Sequence, residues 1–378
     1  MVIGIDASRA NRAQKTGTEW YAYHLIQELK KIPPKSGDKF ILYSPAELRG
    51  GLEDLPVGWE ARILFWRPKY LWTQIRLNWE VFIKPPDILF IPAHSLPIFC
   101  RAKSVVTIHD LGFERFKKAY SFWQRIYYPF VHRFAVKYAD KIIVPSLFTK
   151  KELAQLYKAD PNKIVVIPPG YDSRNYKVTQ DREKIEEVLA KYKIKKPYFL
   201  YVGRLEKKKN IKGLVEAYGQ FLSLRGISRR ETTFKQIPNL VLVGSPGFGY
   251  RKIKNQISKI KNIREIGYVK LGDLVYLYNA AEAFIFPSFY EGFGIPILEA
   301  MASNCPVVAA NTASIHEVAG DAALYFNPEN LLEMAGTIKK IIDNKGLINE
   351  LIEKGQVRVK KFSWEKCAQK TLRVLLNC

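Results

Sequence analysis

The chain has 378 residues, 47% of them hydrophobic and 25% charged, which is enough for two ordinary domains and too much for one typical core. Lys and Arg number 60 against 36 Asp and Glu, and the formal net charge of +24 favours a polyanionic partner: nucleic acid, an anionic membrane face or a phosphorylated substrate. Four scattered cysteines without a CxxC pair speak against zinc and a disulfide framework, and no apolar run is long enough to span a bilayer.

MVIGIDASRA enters a strand directly, without the charged and apolar regions of a signal peptide, so a cytoplasmic location is expected. Val2–Ile5 is that strand. Thr16-Gly17-Thr18 then precedes a helical pattern of Trp20, Tyr23, His24, Leu25 and Leu29. Strand, glycine-bearing loop and helix open a doubly wound α/β unit, although the loop lacks GxGxxG. Lys39–Tyr43, Ile88–Ile91 (followed by Pro92-Ala93-His94) and Val105–Ile108 are further strands. The last delivers His109-Asp110 at its end, where ligands of open α/β sheets collect. A histidine bonding only its own loop fits that position equally well.

Two stretches, Arg62–Lys84 and Phe113–Lys141, are rich in both aromatic and basic residues. Helices of this kind can lie in an anionic membrane interface, while a core-packed helix with a solvated charged face is the commoner case. Lys141–Val144 and Ile164–Ile167 close the first half. Pro168-Pro169-Gly170-Tyr171-Asp172 marks a domain boundary.

After a charged helix over 179–192, the strands resume with Tyr198–Val202, which is followed by Gly203-Arg204 and by Lys209-Asn210. Leu240–Val243 ends on Gly244. Ile263–Val269 holds another strand, ending in Gly267-Tyr268-Val269. Ala283–Phe286 leads into EGFG, Glu291 to Gly294, and then a helix with Pro296 in its first turn. Glycines at a strand-to-helix junction admit close approach by a ligand, and the helix start offers N–H groups to an anion. Glu291 and Glu299 flank this cradle. A glycosidase acid/base pair is disfavoured, because such carboxylates lie roughly 5–9.5 Å apart whereas eight helical residues span about 12 Å. Val307–Ala309 and Ala323–Phe326 are the last strands, and helices fill 330–361 and the segment from Trp364 onward.

In this order the motifs resemble those of retaining glycosyltransferases of family 4. Glu291–Glu299 fits the E-x7-E signature, Gly203-Arg204-Leu205 with Lys209-Asn210 the donor motif, and Thr107-Ile108-His109-Asp110 the T-x-H-D loop. Ile167–Asp172, Gly267-Tyr268-Val269, Pro287-Ser288 and the closing Phe362-Ser363-Trp364 also match. The resemblance covers nearly the whole chain. It implies an α/β GT-B fold, in which two Rossmann-like doubly wound domains face each other across a cleft. Residues 1–175, joined by the helix 363–378, would form the acceptor side, and 176–362 the nucleotide-sugar side.

It also implies site roles. Gly292, Phe293, Gly294 and Ile295 would hold the donor diphosphate, with Gly17 and Gly203 allowing its approach. Arg204 and Lys209 would neutralise it as it leaves. Glu291 would contact the donor sugar, Glu299 the ribose, His109 the transferred sugar, and Tyr268 and Val269 the base. The implied reaction moves a hexose from a nucleotide sugar, GDP-mannose first and UDP- or dTDP-sugars next, to a glycan or lipid-linked acceptor in surface polysaccharide synthesis. No cofactor and no metal is expected, and no nucleic-acid partner. Peripheral association with an anionic membrane surface is expected. A non-hydrolysing nucleotide-sugar epimerase and a basic nucleic-acid-binding module are the alternatives. One departure bears on loop geometry: Met-Ala-x-Gly-x-Pro is here Met301-Ala302-Ser303-Asn304-Cys305-Pro306, without the glycine.

Overall fold

A computed structural model describes residues 1–68, 71–93, 95–226 and 237–378. His94 and residues 69–70 of the Arg62–Lys84 stretch lie outside them. The chain divides into two compact units. The first comprises Met1–Arg115, Ser121–Gly170 and Phe362–Cys378, and the second Phe116–Tyr120 and Tyr171–Lys361.

Seven strands form the sheet of the first unit: β1 Val2–Asp6, β2 Lys39–Ser44, β3 Trp59–Ile63, β4 Ile88–Ile91, β5 Lys103–Thr107, β6 Lys141–Val144 and β7 Ile164–Val166. Their order is β3-β2-β1-β4-β5-β6-β7, with every pairing parallel. Parallel strands covered on both faces read as continuous apolar runs, as Ile88–Ile91 does. Sequence reading misses β3. It is an edge strand with Glu60 and Ala61 exposed, held by its register on β2 and by Trp59 stacked on Phe40 at 4.4 Å. The closing helix Trp364–Leu376 packs on the helix Gly17–Leu29, with Trp364 stacked on His24 at 5.2 Å.

Six parallel strands form the second sheet: β8 Tyr198–Val202, β9 Asn239–Val243, β10 Ile263–Gly267, β11 Ala283–Phe286, β12 Val307–Ala310 and β13 Ala323–Phe326. Their order is β10-β9-β8-β11-β12-β13. Apart from Phe116–Tyr120, the chain passes from one unit to the other at Gly170/Tyr171, inside the Pro168–Asp172 stretch, and back at Lys361/Phe362. Asp172 accepts from Asn175 Nδ2 at 2.5 Å and its carbonyl from Tyr176 N–H at 2.8 Å, a turn that carries Tyr176 edge-on against Tyr278 at 5.9 Å. The helical run over 330–361 is two helices, Leu331–Asp343 and Lys345–Val359. They break at Asn344, whose backbone is extended and whose side chain caps the second helix by accepting from Leu347 N–H at 2.9 Å.

Candidate active site

The order of the second sheet reverses between β8 and β11, and the loops at the carboxyl ends of these two strands carry Gly203-Arg204 and Glu291–Gly294. An open α/β sheet binds its ligands at such a switch point. After β8 the chain turns at Gly203, whose φ of +151° is a glycine conformation. Gly244, at the end of β9, lies so close that an added Cβ would sit 1.9 Å from the Gly203 carbonyl oxygen, and its φ is +143°. Its N–H donates to the Gly267 carbonyl at 2.7 Å, so the loops after β8, β9 and β10 are stacked backbone to backbone. Arg204 extends from this stack, exposed and, among the described residues, without a carboxylate partner. Tyr268 is exposed and Val269 buried beside Gly267, which has φ +71°.

Lys209 ends a short 3-10 turn, and Asn210, in the left-handed conformation, starts the helix Ile211–Leu224. That turn aims Lys209 Nζ at both oxygens of Glu291, 2.6 Å from Oε1 and 2.7 Å from Oε2. Glu291 is buried and Lys209 largely so. The family resemblance implies separate partners for these two side chains, the diphosphate and the sugar. In the structure they hold each other, and Arg204 remains as the uncompensated cation.

The turn from Glu291 through Gly292 and Phe293 is fixed from behind by Ser314, a fully buried residue. Its hydroxyl is 2.9 Å from the Glu291 carbonyl and 3.0 Å from that of Phe293. Gly294, at φ +111°, then turns the chain into the helix Ile295–Ala302. The first N–H groups of a helix have no intrahelical acceptor and attract anions, so this end suits a phosphate.

One turn on, Glu299 is half-buried and accepts from the Tyr278 hydroxyl at 3.2 Å. Burial raises its carboxyl pKa to about 7. The Tyr278 hydrogen bond and the nearby Tyr176 hydroxyl oppose that rise, and Asp172 adds to it. The helix ends at Asn304, where the family pattern has glycine. Asn304 adopts φ +55°, a left-handed conformation that asparagine tolerates better than most residues, and Gln356 Nε2 donates to its Oδ1 at 2.7 Å.

In the first unit, His109 follows β5. A backbone carbonyl only accepts, so the 2.8 Å contact with Pro92 places a proton on His109 Nε2. Burial lowers its pKa, against the opposing pull of the Pro92 carbonyl and the Asp110 and Glu19 carboxylates, and Tyr21 packs edge-on at 4.5 Å. Gly17 begins its helix after the capping box of Thr16 and Glu19. A Cβ there would meet nothing within 4 Å, so packing does not demand the glycine. Sequence reading places Gly244 at a strand end but assigns Ser314, Tyr278 and Tyr176 no part in the site. Each reaches it from another strand or helix, and no local spacing connects it to the motif it supports. Among the described residues no group of three or more His, Cys, Asp or Glu side chains could hold a metal ion.

Residues 15–175 match glycosyltransferase family 4, and residues 181–358 match glycosyl transferases group 1. The chain belongs to this glycosyltransferase family. The glycosyltransferase is 34% identical over 238 residues to O-antigen chain mannosyltransferase B of Escherichia coli, a match covering 62% of this chain and 60% of that relative. It is 28% identical over 283 residues to O-antigen chain mannosyltransferase RfbU of Salmonella typhimurium, covering 74% of this chain and 71% of the relative. Its fold is similar to that of HepE from Anabaena, solved with UDP-glucose, with a TM-score of 0.76, 17% identity and full coverage of both chains. With its two parallel sheets, the glycosyltransferase has the two-domain, Rossmann-like GT-B architecture.

Proposed function

We propose that this glycosyltransferase moves a hexose from a nucleotide sugar to a hydroxyl of a glycan or lipid-linked acceptor in surface polysaccharide synthesis. The observation that carries the reading is the convergence at one switch point of Arg204, the Lys209–Glu291 pair and the Gly294 helix start. Its similarity to O-antigen mannosyltransferases makes GDP-mannose the first donor to test, with UDP- and dTDP-sugars next.

The helix start and Arg204 bind the diphosphate, Glu299 the ribose hydroxyls, and Tyr268 and Val269 flank the base. Lys209 and Glu291 meet the sugar-phosphate junction together. Gly17 and His109 keep their assignment by resemblance, and a neutral His109 serves as a hydrogen-bonding group rather than as a cation. Transfer proceeds with retention by front-face displacement. The acceptor oxygen bonds to the anomeric carbon on the face from which the diphosphate departs, and the leaving phosphate oxygen takes the acceptor proton. Arg204 and Lys209 stabilise the departing charge, so no metal is required.

A thermal-shift screen with GDP-, UDP- and dTDP-sugars tests the donor, since a true donor stabilises the folded chain by mass action. Shifts with none of them would refute the reading. Conversion of the nucleotide sugar without any acceptor would show an epimerase instead. The anomeric configuration of the product tests retention.

A further inference from the structure

Two helical segments of the first unit turn apolar stripes to solvent. On the helix Phe122–Tyr138, Phe122, Trp123, Ile126 and Phe130 share the outer face, with Phe122 67% and Trp123 76% exposed, while Val131, His132 and Ala135 are buried on the opposite face. From Leu71 to Ile83, exposed Leu71, Ile75, Trp79 and Ile83 recur every four residues, and Trp79 is 62% exposed. An amphipathic helix of a soluble domain ordinarily buries its apolar stripe. Here both stripes face outward.

The loop between β4 and β5 joins them into one face. On one side, Gln74 Nε2 donates to the Leu96 carbonyl at 3.0 Å and the Phe99 N–H to Asn78 Oδ1 at 2.8 Å, and the Arg101 guanidinium lies 4.2 Å from the centre of the Phe82 ring. On the other, the Tyr127 hydroxyl is 3.4 Å from Ser95 Oγ. The loop adds exposed Ile98 and Phe99 of its own. The charges on these segments are Arg76, Lys84, Arg101, Arg125, Arg133 and Lys137 against Glu80, and Glu80 is already paired with Arg62 and Arg76 at 3.3 and 3.2 Å. Arg133 and Lys137 continue the Ile126–Phe130 stripe at helical spacing, so cations border the rings.

We propose that this composite face docks the glycosyltransferase on an anionic lipid bilayer, its rings entering the headgroup–acyl boundary and its cations lying over acidic headgroups. Contiguous exposed rings of this extent mark an interaction surface. The basic border selects an anionic partner, and a second copy of this chain, with net charge +24, would bring like charge to the face. The joining loop leaves β4 through Pro92, whose carbonyl holds His109, so docking sets the strand ends that carry His109 beside the lipid surface. The proposal does not depend on the donor assignment.

Flotation of the full chain with vesicles tests it, using phosphatidylcholine alone and phosphatidylcholine with about 30% phosphatidylglycerol. The wild type is expected to float with the anionic vesicles, with a blue shift of tryptophan emission. At about 0.5 M salt, which shrinks the Debye length to a few Å, binding should weaken but persist through the inserted rings. Arg133→Glu with Lys137→Glu should lower partitioning at low salt by about tenfold or more. Trp79→Ser with Trp123→Ser and Phe130→Ser should abolish the salt-resistant part and the blue shift. Unchanged melting temperatures establish that the variants fold. Absence of vesicle binding by the wild type at low salt, or equal binding by folded variants, would overturn the proposal. So would a dimer in solution, without vesicle binding, that the ring substitutions dissociate.

Discussion

Arg204 stands exposed at the end of β8, whereas Lys209 is tied to the buried carboxylate of Glu291. Arg204→Ala is therefore expected to cut turnover about 100-fold or more, the scale for losing one preorganised charge stabiliser, with the melting temperature unchanged. Lys209→Met should lose activity and stability together, up to about 3 kcal/mol, because it leaves Glu291 buried without its partner. Adding Glu291→Gln should recover much of that stability and none of the activity, which steady-state kinetics and thermal melts on the three variants would check. Glu299 gives a pH dependence. Its carboxyl titrates near 7 instead of the ordinary 4.5, so the stability that protonation gives the unliganded fold is full below 4.5 and lost as pH rises through about 7. Ribose hydroxyls need the ionised form as acceptor, so donor affinity should fall below pH 7, towards about tenfold per pH unit. Glu299→Gln should bind donor weakly at every pH and should melt higher than wild type at pH 8 without ligand. Calorimetric titrations and melts at pH 6 and pH 8 decide this.

At the scale of single elements, the helix Ile295–Ala302 is set at both ends by positive-φ residues, Gly294 before it and Asn304 after it. Gly294 admits the turn from a buried strand end to the helix, and Ser314 locks that turn through two carbonyls. Asn304 closes the other end, with the Cys305 N–H donating to the Ala300 carbonyl at 2.9 Å. Asn304→Ala should cost about 1 kcal/mol, the penalty for a Cβ residue in the left-handed region without a local hydrogen-bonding side chain. Asn304→Gly should be nearly neutral, because freedom from that penalty offsets the lost contact with Gln356. Chemical denaturation of the two variants measures the difference, and an equal loss in both would instead credit the Gln356 contact.

Over the whole molecule, the chain leaves its first unit at Gly170 and returns to it at Phe362. The two crossings touch: a Cβ on Gly170 would lie 2.2 Å from the Trp364 backbone nitrogen. Gly170→Ala should therefore lower stability by about 1–3 kcal/mol, as overpacking typically does, and the melting temperature with it. Nucleotide affinity measured well below the transition should stay near wild type, since Arg204, Tyr268, Val269, Gly294 and Glu299, the residues proposed to hold the nucleotide, belong to the second unit. The proposed charge-stabilised departure of the diphosphate makes a second prediction at this scale. Transfer should persist in excess chelator, and an activity lost there and restored by magnesium or manganese would refute metal independence.

Sequence alone located the buried strands, because parallel strands covered on both faces must be near-continuous apolar runs; β4, β6, β8, β11 and β13 fall where Ile88–Ile91, Lys141–Val144, Tyr198–Val202, Ala283–Phe286 and Ala323–Phe326 were read. The glycines and charges at strand ends were legible too, since they are local features of the chain, and the family resemblance proposed donor roles for them. It missed β3, whose solvent-facing side breaks the apolar signal and which is a strand only through its register on β2. The split at Asn344 and the packing of Tyr176 on Tyr278 lay hidden for a related reason: each is settled by a hydrogen bond or a ring contact, not by periodicity. The partner of Lys209 was equally out of reach. Arg204, Lys209 and Glu291 each read as a separate contact along the chain, and only the adjacency of β8 and β11 at the reversal of strand order places Lys209 on Glu291 and leaves Arg204 as the unpaired charge. Composition set the charge and the aromatic content of the first unit. Which rings face outward, and that one loop joins them into a single surface, was decided by which helix faces the sheet had room to bury.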